Sequence, residues 1–247
     1  MLLITQPKAG ALYNEILALR MTAEGEGWET ELAPSGWRLA EELTQSGKSG
    51  VPYGSLGFCE VVADQMGWKL TGNPNDWLTR IHPVHLRRRV QFMPLGDALR
   101  VKETKFIKPA YDKCFLAQVY KPGELVVSEM IPRDTPTLVQ DPVEFVQEYR
   151  CFVDGKQALT CSCYIKDGLI NAQENWEDGS QKVMDHLNFL LKHEYVHSEA
   201  AVVDLGYLKT GELAIIESNE AWASGIYGCE LSGVLKVLEG SCVPQSS

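Results

Sequence analysis

Two short apolar runs late in the chain each carry polar groups of one chemical kind. Ala201-Val202-Val203-Asp204-Leu205-Gly206 reads as a strand interrupted by a carboxylate, and Leu213-Ala214-Ile215-Ile216-Glu217-Ser218-Asn219 follows after a turn. Glu217 and Asn219 are two apart, so a strand points both side chains to one face. Asp204, on the preceding strand of the same hairpin, can approach them across the ladder. Two carboxylates and an amide oxygen are hard donors that suit a Mg²⁺ ion bridging phosphates. The other reading is a polar hairpin end in solvent, and the apolar flanks argue against it.

Two further groups carry charge of the opposite sign. Lys105, Lys108 and Lys113 stand in and just before FIKPAYDKCF. Lysine ammoniums are compact charges suited to nucleotide phosphates, although lysines beside strands ordinarily face solvent. In Glu148-Tyr149-Arg150-Cys151-Phe152 a strand gives Glu148, Arg150 and Phe152 one face. There Arg150 would stabilise charge on a transferring phosphoryl group, or else form a structural ion pair with Glu148 or another acid. Past the metal-ligand trio, Ser224-Gly225 and Gly228 form a glycine-containing loop whose amides are candidates for contact with an acylphosphate or substrate.

The elements that must position these groups follow from periodicity. Tyr13 to Arg20 sets Ile16, Leu17 and Leu19 at helical spacing, and Gly57 to Met66 is a second helix closed by Gly67. Asn73-Pro74-Asn75-Asp76 is a turn, and the stretch from Trp77 to about Leu99 is expected to be helical with a break near Pro94. Strands are expected at 105–108, 125–130 and 137–143, with one hairpin from 145–152 and 157–165 and another from 200–205 and 212–217. Gln181 to His193 is an amphipathic helix, and a short helix lies near 233–238. This mixture indicates an α+β architecture, with residues 1–100 as one α/β region and 101–247 as a second unit.

Bulk properties narrow the class. The 247 residues are 45% hydrophobic and 23% charged, enough for a substantial core, and no apolar run reaches a membrane span. A formal charge of −10 works against broad binding to nucleic acid or anionic membranes. The run Arg87-Arg88-Arg89 is expected to be a solvated face. The start, MLLITQPKAG, lacks the features of a signal peptide and reads as a first strand. Seven cysteines without a CxxC pair then imply free thiols in a reducing cytosol, with Cys161 and Cys163 on one side of a strand as small buried hydrophobes.

Three other motifs compete. His193-Glu194-Tyr195-Val196-His197 matches HExxH, which would make the protein a zinc hydrolase if one helix held both histidines and Glu217 served as third ligand. The strand at 200–205 follows so soon that the helix should end near His193. Ser46-Gly47-Lys48-Ser49 has Glu42 where a phosphate loop needs its first glycine, and is read as a flexible loop. His82 and His85 flank Pro83 at a spacing poor for metal.

FIKPAYDKCF, TLVQDPVEFVQEYRCFVDGK and AVVDLGYLKTGELAIIESNEAWASGIYG together resemble the ATP-grasp superfamily, closest to the clade named for one arginine and two lysines. VPYGS and NPNDWL also look like this clade's first region. The resemblance covers roughly residues 101–230. It implies two α+β lobes sandwiching ATP, preceded by a small α/β region. It puts the lysine pair on Lys108 and Lys113, the arginine on Arg150, and the Mg²⁺ ligands on Asp204, Glu217 and Asn219. It makes 137–143 the hinge strand that meets adenine, bringing in Val143, with Gln140 and Asp141 where many members carry Ser-Glu. The implied reaction joins a small-molecule or peptide carboxylate to an amine or thiol through an acylphosphate, in the cytoplasm, releasing ADP and phosphate. The alternatives are a nucleotide-binding sensor or scaffold, and a ligase acting on a nucleic-acid end through Arg87–Arg89. Oligomeric state is not legible.

Overall fold

The computed structural model describes residues 1–7, 11–170 and 179–245, and the side chains of all of these except 11–13. The chain opens with β1 (Leu2–Thr5), α1 (Ala11–Gly25), β2 (Glu29–Leu32), α2 (Glu41–Thr44), β3 (Gly50–Tyr53), α3 (Leu56–Met66) and β4 (Trp68–Leu70). The first three strands form a parallel sheet in the order β2-β1-β3. Parallel pairing needs crossover segments, and α1 supplies the first. Helix α3 ends where Gly67 takes a left-handed conformation at φ 64°, the ordinary use of a glycine after a helix.

A second, antiparallel sheet has the order β5-β8-β6-β7, from β5 (Val90–Pro94), β6 (Lys105–Pro109), β7 (Gln118–Tyr120) and β8 (Pro136–Gln140). The stretch before it is not one helix. It is a 3-10 turn at Trp77–Arg80, α4 (Pro83–Leu86), strand β5 and α5 (Leu95–Ala98). Pro83 starts a new helix, Arg87 stops it in the left-handed region at φ 54°, and Val90–Pro94 pairs along β8. Residues 125–130 form no strand either. Leu125 and Val127 face a core while Val126 and Met130 are 86% and 91% exposed, but the segment has no strand to pair with among the described residues.

The third sheet runs β11-β10-β9-β12-β13, built from β9 (Phe145–Asp154), β10 (Ala158–Lys166), β11 (Leu169–Ile170), β12 (Ala200–Leu208) and β13 (Leu213–Asn219). Helix α6 (Ser180–Lys192) buries Val183, Leu187, Leu190 and Leu191 against one face of this sheet, over Tyr149, Cys151, Val153 and Cys163. Alternation then sends Arg150 and Phe152 to the opposite face. Phe152 joins a core shared with β1, α1 and α3 of the first sheet and with α7 (Leu231–Gly240). The chain finishes in β14 (Cys242–Pro244), which pairs with β4. Helix α7 packs between α1 and strands β9 and β10 of the third sheet, and β5 and α5 sit with the second sheet.

None of the seven cysteines is in a disulfide. Among the described residues no helix is long and apolar enough to cross a membrane.

Candidate active site

Register brings four polar residues into one row. Across adjacent strands, Ser162 on β10 faces Arg150 on β9, Arg150 faces Asp204 on β12, and Asp204 faces Glu217 on β13. Asp204 is completely buried and accepts from Arg150 at 3.0 Å (Nε to Oδ1) and 2.7 Å (Nη2 to Oδ2). This two-point geometry is what a guanidinium and a carboxylate favour. Asn219 donates from Nδ2 to Glu217 Oε1 at 2.9 Å and lies 3.4 Å from Asp204 Oδ2. The other sheet contributes Lys108, whose ammonium donates to Glu217 Oε2 across the space between the two sheets. The trio read from alternation thus converges, and Lys108 reaches it over 109 positions of sequence.

Electrostatics follow from this pairing. Burial pushes Asp204 above the usual carboxylate range, against the pull of Arg150. Burial also acts upward on Glu217, but Lys108 and the Asn219 hydrogen bond outweigh it and hold the group at about 2. Burial opposes the charge on Arg150, and Asp204 more than offsets this, raising the guanidinium above its ordinary value.

Arg150 is fixed on all sides. Its Nη1 donates to the Gly225 carbonyl at 3.1 Å, and its guanidinium carbon lies 5.1 Å from the Tyr164 ring centre and 4.9 Å from that of Tyr227. Tyr164 donates to Glu148 at 2.8 Å, and burial raises the Glu148 carboxyl. Glu148 therefore supports the arginine's ring partner. The loop after the trio is pinned from the third sheet and from the region of the first, parallel sheet. Ser162 donates to the Tyr227 carbonyl at 2.6 Å, Tyr53 to the Ser224 carbonyl at 2.7 Å, and the Ile226 amide to Glu15 at 2.9 Å.

Lys108, Lys113, Arg150, Glu217, Asn219, Ser224 and Gly225 line a cleft of about 490 Å³, while Asp204 lies buried behind Arg150 and Glu148 lies outside the lining. Asn73, Trp77, Tyr111, Leu138, Glu220 and Tyr227 complete much of its wall. Sequence reasoning missed these. For Tyr164 a signal exists, since it continues the Ser162 face of a strand by a two-residue step; for Tyr111 and Glu220 none does.

The hinge residues are engaged elsewhere. Gln140 is buried and its Oε1 accepts from Arg88 Nε at 2.7 Å, while Asp141 accepts from Lys105 at 2.7 Å and from the Arg89 amide at 3.2 Å. Neither lines the cleft, and nor does the half-buried Val143. The basic run is not a solvated face. Arg88 is 7% exposed and donates to Leu86 O and Ile215 O at 2.8 Å each and to Ile216 O at 2.6 Å. It clamps the hinge strand to the strand carrying Glu217, and burial lowers it to about 10. Arg87 and Arg89 remain exposed, Arg87 pairing with Glu212 at 3.2 Å.

The zinc motif does not assemble. Helix α6 ends at Lys192, and Glu194 is left-handed at φ 58°, so His193 and His197 do not share a helical face. Among the described residues no three or more His, Cys, Asp or Glu side chains are set to hold a metal ion. The trio differs by taking an amide as its third member. Its three oxygen-bearing groups meet around one point, which fits a hard divalent cation once the Asn219 amide turns its oxygen inward.

A family model for an ATP-grasp domain, family 2 of the clade named for one arginine and two lysines, matches residues 85–237. The fold is similar to that of D-cycloserine synthetase DcsG, with TM-score 0.58 and 14% identity over 97% of this chain and 98% of that one. It is similar to a RimK domain ATP-grasp protein from Sphaerobacter thermophilus, with TM-score 0.52 and 13% identity over 97% of each chain. It also resembles a D-alanine–D-alanine ligase from Bacillus anthracis complexed with ATP, with TM-score 0.51 and 13% identity over 97% of this chain and 96% of that one. No curated protein sequence matches the chain.

Proposed function

Because the chain belongs to the ATP-grasp superfamily, in family 2 of its one-arginine, two-lysine clade, we propose that it is a ligase that uses Mg-ATP to activate a carboxylate and join it to an amine or thiol. The observation that carries this reading is the row Arg150–Asp204–Glu217 on one sheet facing Lys108 on the other, across a single cleft.

In this reading Lys108 and Lys113 hold phosphate oxygens, and Asp204, Glu217 and Asn219 hold Mg²⁺, which when bound neutralises phosphate charge. The substrate carboxylate attacks the γ-phosphorus as the bond to ADP breaks. The amine or thiol then displaces phosphate from the acylphosphate. Arg150, locked by Asp204, Gly225 and two tyrosines, faces the charge that develops during transfer and needs no reorganisation to do so. Ser224 and Gly225 offer backbone contacts to the acyl group beside it. Catalysis here is positioning and charge stabilisation.

The nucleic-acid-end alternative loses its candidate groove, since Arg88 is buried and Arg87 pairs with Glu212. Calorimetry of Mg-ATP binding to wild type, Lys108→Ala and Glu217→Gln tests the reading, together with ADP release in the presence of mixed carboxylates and amines. Binding lost in the variants, and ADP formed only with an added metabolite, is expected. A wild-type protein that binds no nucleotide overturns it.

A further inference from the structure

We infer that Lys108 is an internal plug of the metal site, occupying Glu217 until nucleotide phosphates draw it away. The inference rests on the ATP-grasp ligase reading and deepens it.

Each carboxylate oxygen of Asp204 and Glu217 already has a donor. Asp204 Oδ1 takes Arg150 Nε at 3.0 Å and Oδ2 takes Arg150 Nη2 at 2.7 Å. Glu217 Oε1 takes Asn219 Nδ2 at 2.9 Å, and Glu217 Oε2 takes the Lys108 ammonium. The two carboxylates are matched by two cations, and the Asn219 amide presents its nitrogen, not its oxygen, to the point where a cation would sit. A divalent ion arriving alone meets a neutral, fully hydrogen-bonded quartet. A nucleotide arriving alone meets a lysine already neutralised by Glu217. Arriving together, the two exchange partners: phosphate takes Lys108, and the ion takes Glu217.

The two cations are not equally free to move. Arg150 is also held by Gly225 O and by two aromatic rings, with its side chain 9% exposed. Lys108 stands on the opposite sheet, and Glu217 is its one hydrogen-bonding partner among the described residues. The exchange therefore runs through Lys108, while Arg150 and Asp204 stay paired.

The test is the affinity of the nucleotide-free protein for Mn²⁺, read from the electron paramagnetic resonance of the free ion. Removing a phosphate-binding lysine should strengthen metal binding. Lys108→Gln and Lys108→Met are expected to bind Mn²⁺ roughly tenfold tighter than wild type, within the usual range of site-to-site coupling. Adding Glu217→Gln to either should cancel the gain. Equal or weaker Mn²⁺ binding in both lysine variants, with wild-type melting behaviour, overturns the inference. Mn²⁺ with ADP on the wild type separates the two levels. No binding of the pair refutes the ligase reading itself, whereas binding of the pair without the variants' gain refutes only the plug.

Discussion

Asp204 and Arg150 face one another on neighbouring strands, joined by two hydrogen bonds of 3.0 and 2.7 Å, with the carboxylate shielded completely from solvent. A buried pair of this kind is much more costly to break than to omit. Arg150→Ala should destabilise the protein by about 3 to 5 kcal/mol, because it strands a buried charge. Arg150→Met combined with Asp204→Leu should cost less than Arg150→Ala alone. Urea denaturation of the three proteins measures this, and an additive double variant would contradict it.

Glu217→Gln keeps the shape of the side chain and its bond from Asn219 but removes the charge that faces Lys108 and the metal position. Turnover should fall at least about a hundredfold, in line with loss of one preorganised electrostatic contact. Circular dichroism should stay unchanged. Wild-type turnover in this variant would remove the metal assignment.

Gly225 sits where an added Cβ would lie 3.0 Å from the Tyr227 ring, and its carbonyl holds Arg150. The loop is pinned by Tyr53, Glu15 and Ser162, so it has little room to shift. Gly225→Val should lower kcat through displaced Arg150 and loop amides while nucleotide affinity changes less. A kcat/KM profile equal to wild type would rule out the loop's part in the reaction.

Arg88→Met should cost about 2 to 3 kcal/mol, since it leaves buried carbonyls of β13 and the Gln140 amide without a donor. Nucleotide affinity should drop as well, because the hinge strand and β13 lose their clamp. Melting combined with ADP titration distinguishes this from a purely local loss.

His85 and His186 are both held below the usual imidazole value of 6.5, by burial first and then by neighbouring positive charge, including Arg87. The unfolded chain therefore binds protons more readily than the folded one in the window just below 6.5. Stability should rise with pH through that window and level off above it. Melting temperatures at about pH 5.5 and about pH 7.5 check the sign, and His186→Asn should flatten the slope.

The legible parts of the site share one property: each depends on neighbours in sequence. Glu217 and Asn219 follow from a two-residue step, Asp204 from its hairpin, and the face of Arg150 from alternation along one strand. Helix α6 and its four buried residues follow from a 3.6-residue period. What the sequence hides depends on distant pairing. The reach of Lys108 to Glu217 and the burial of Arg88 under β13 come from the packing of one sheet on another. The strand at Val90–Pro94 reads as helix because its apolar residues suit either period, and only β8 selects the extended form. Gln140 can be placed on the hinge strand from sequence, but not the arginine that claims its side chain.

The pairing of β14 with β4, and the packing of α7 against α1 and β3, have a consequence for how the molecule is made. During synthesis the first three strands emerge long before Val234, Leu235, Val237 and Leu238 exist to cover them. The opening sheet must wait, partly uncovered, until α7 and β14 have been made. The ligand cleft and the first core are thus completed in the same late step, so a polypeptide stalled after β13 would carry every charged residue of the site on an unfinished scaffold.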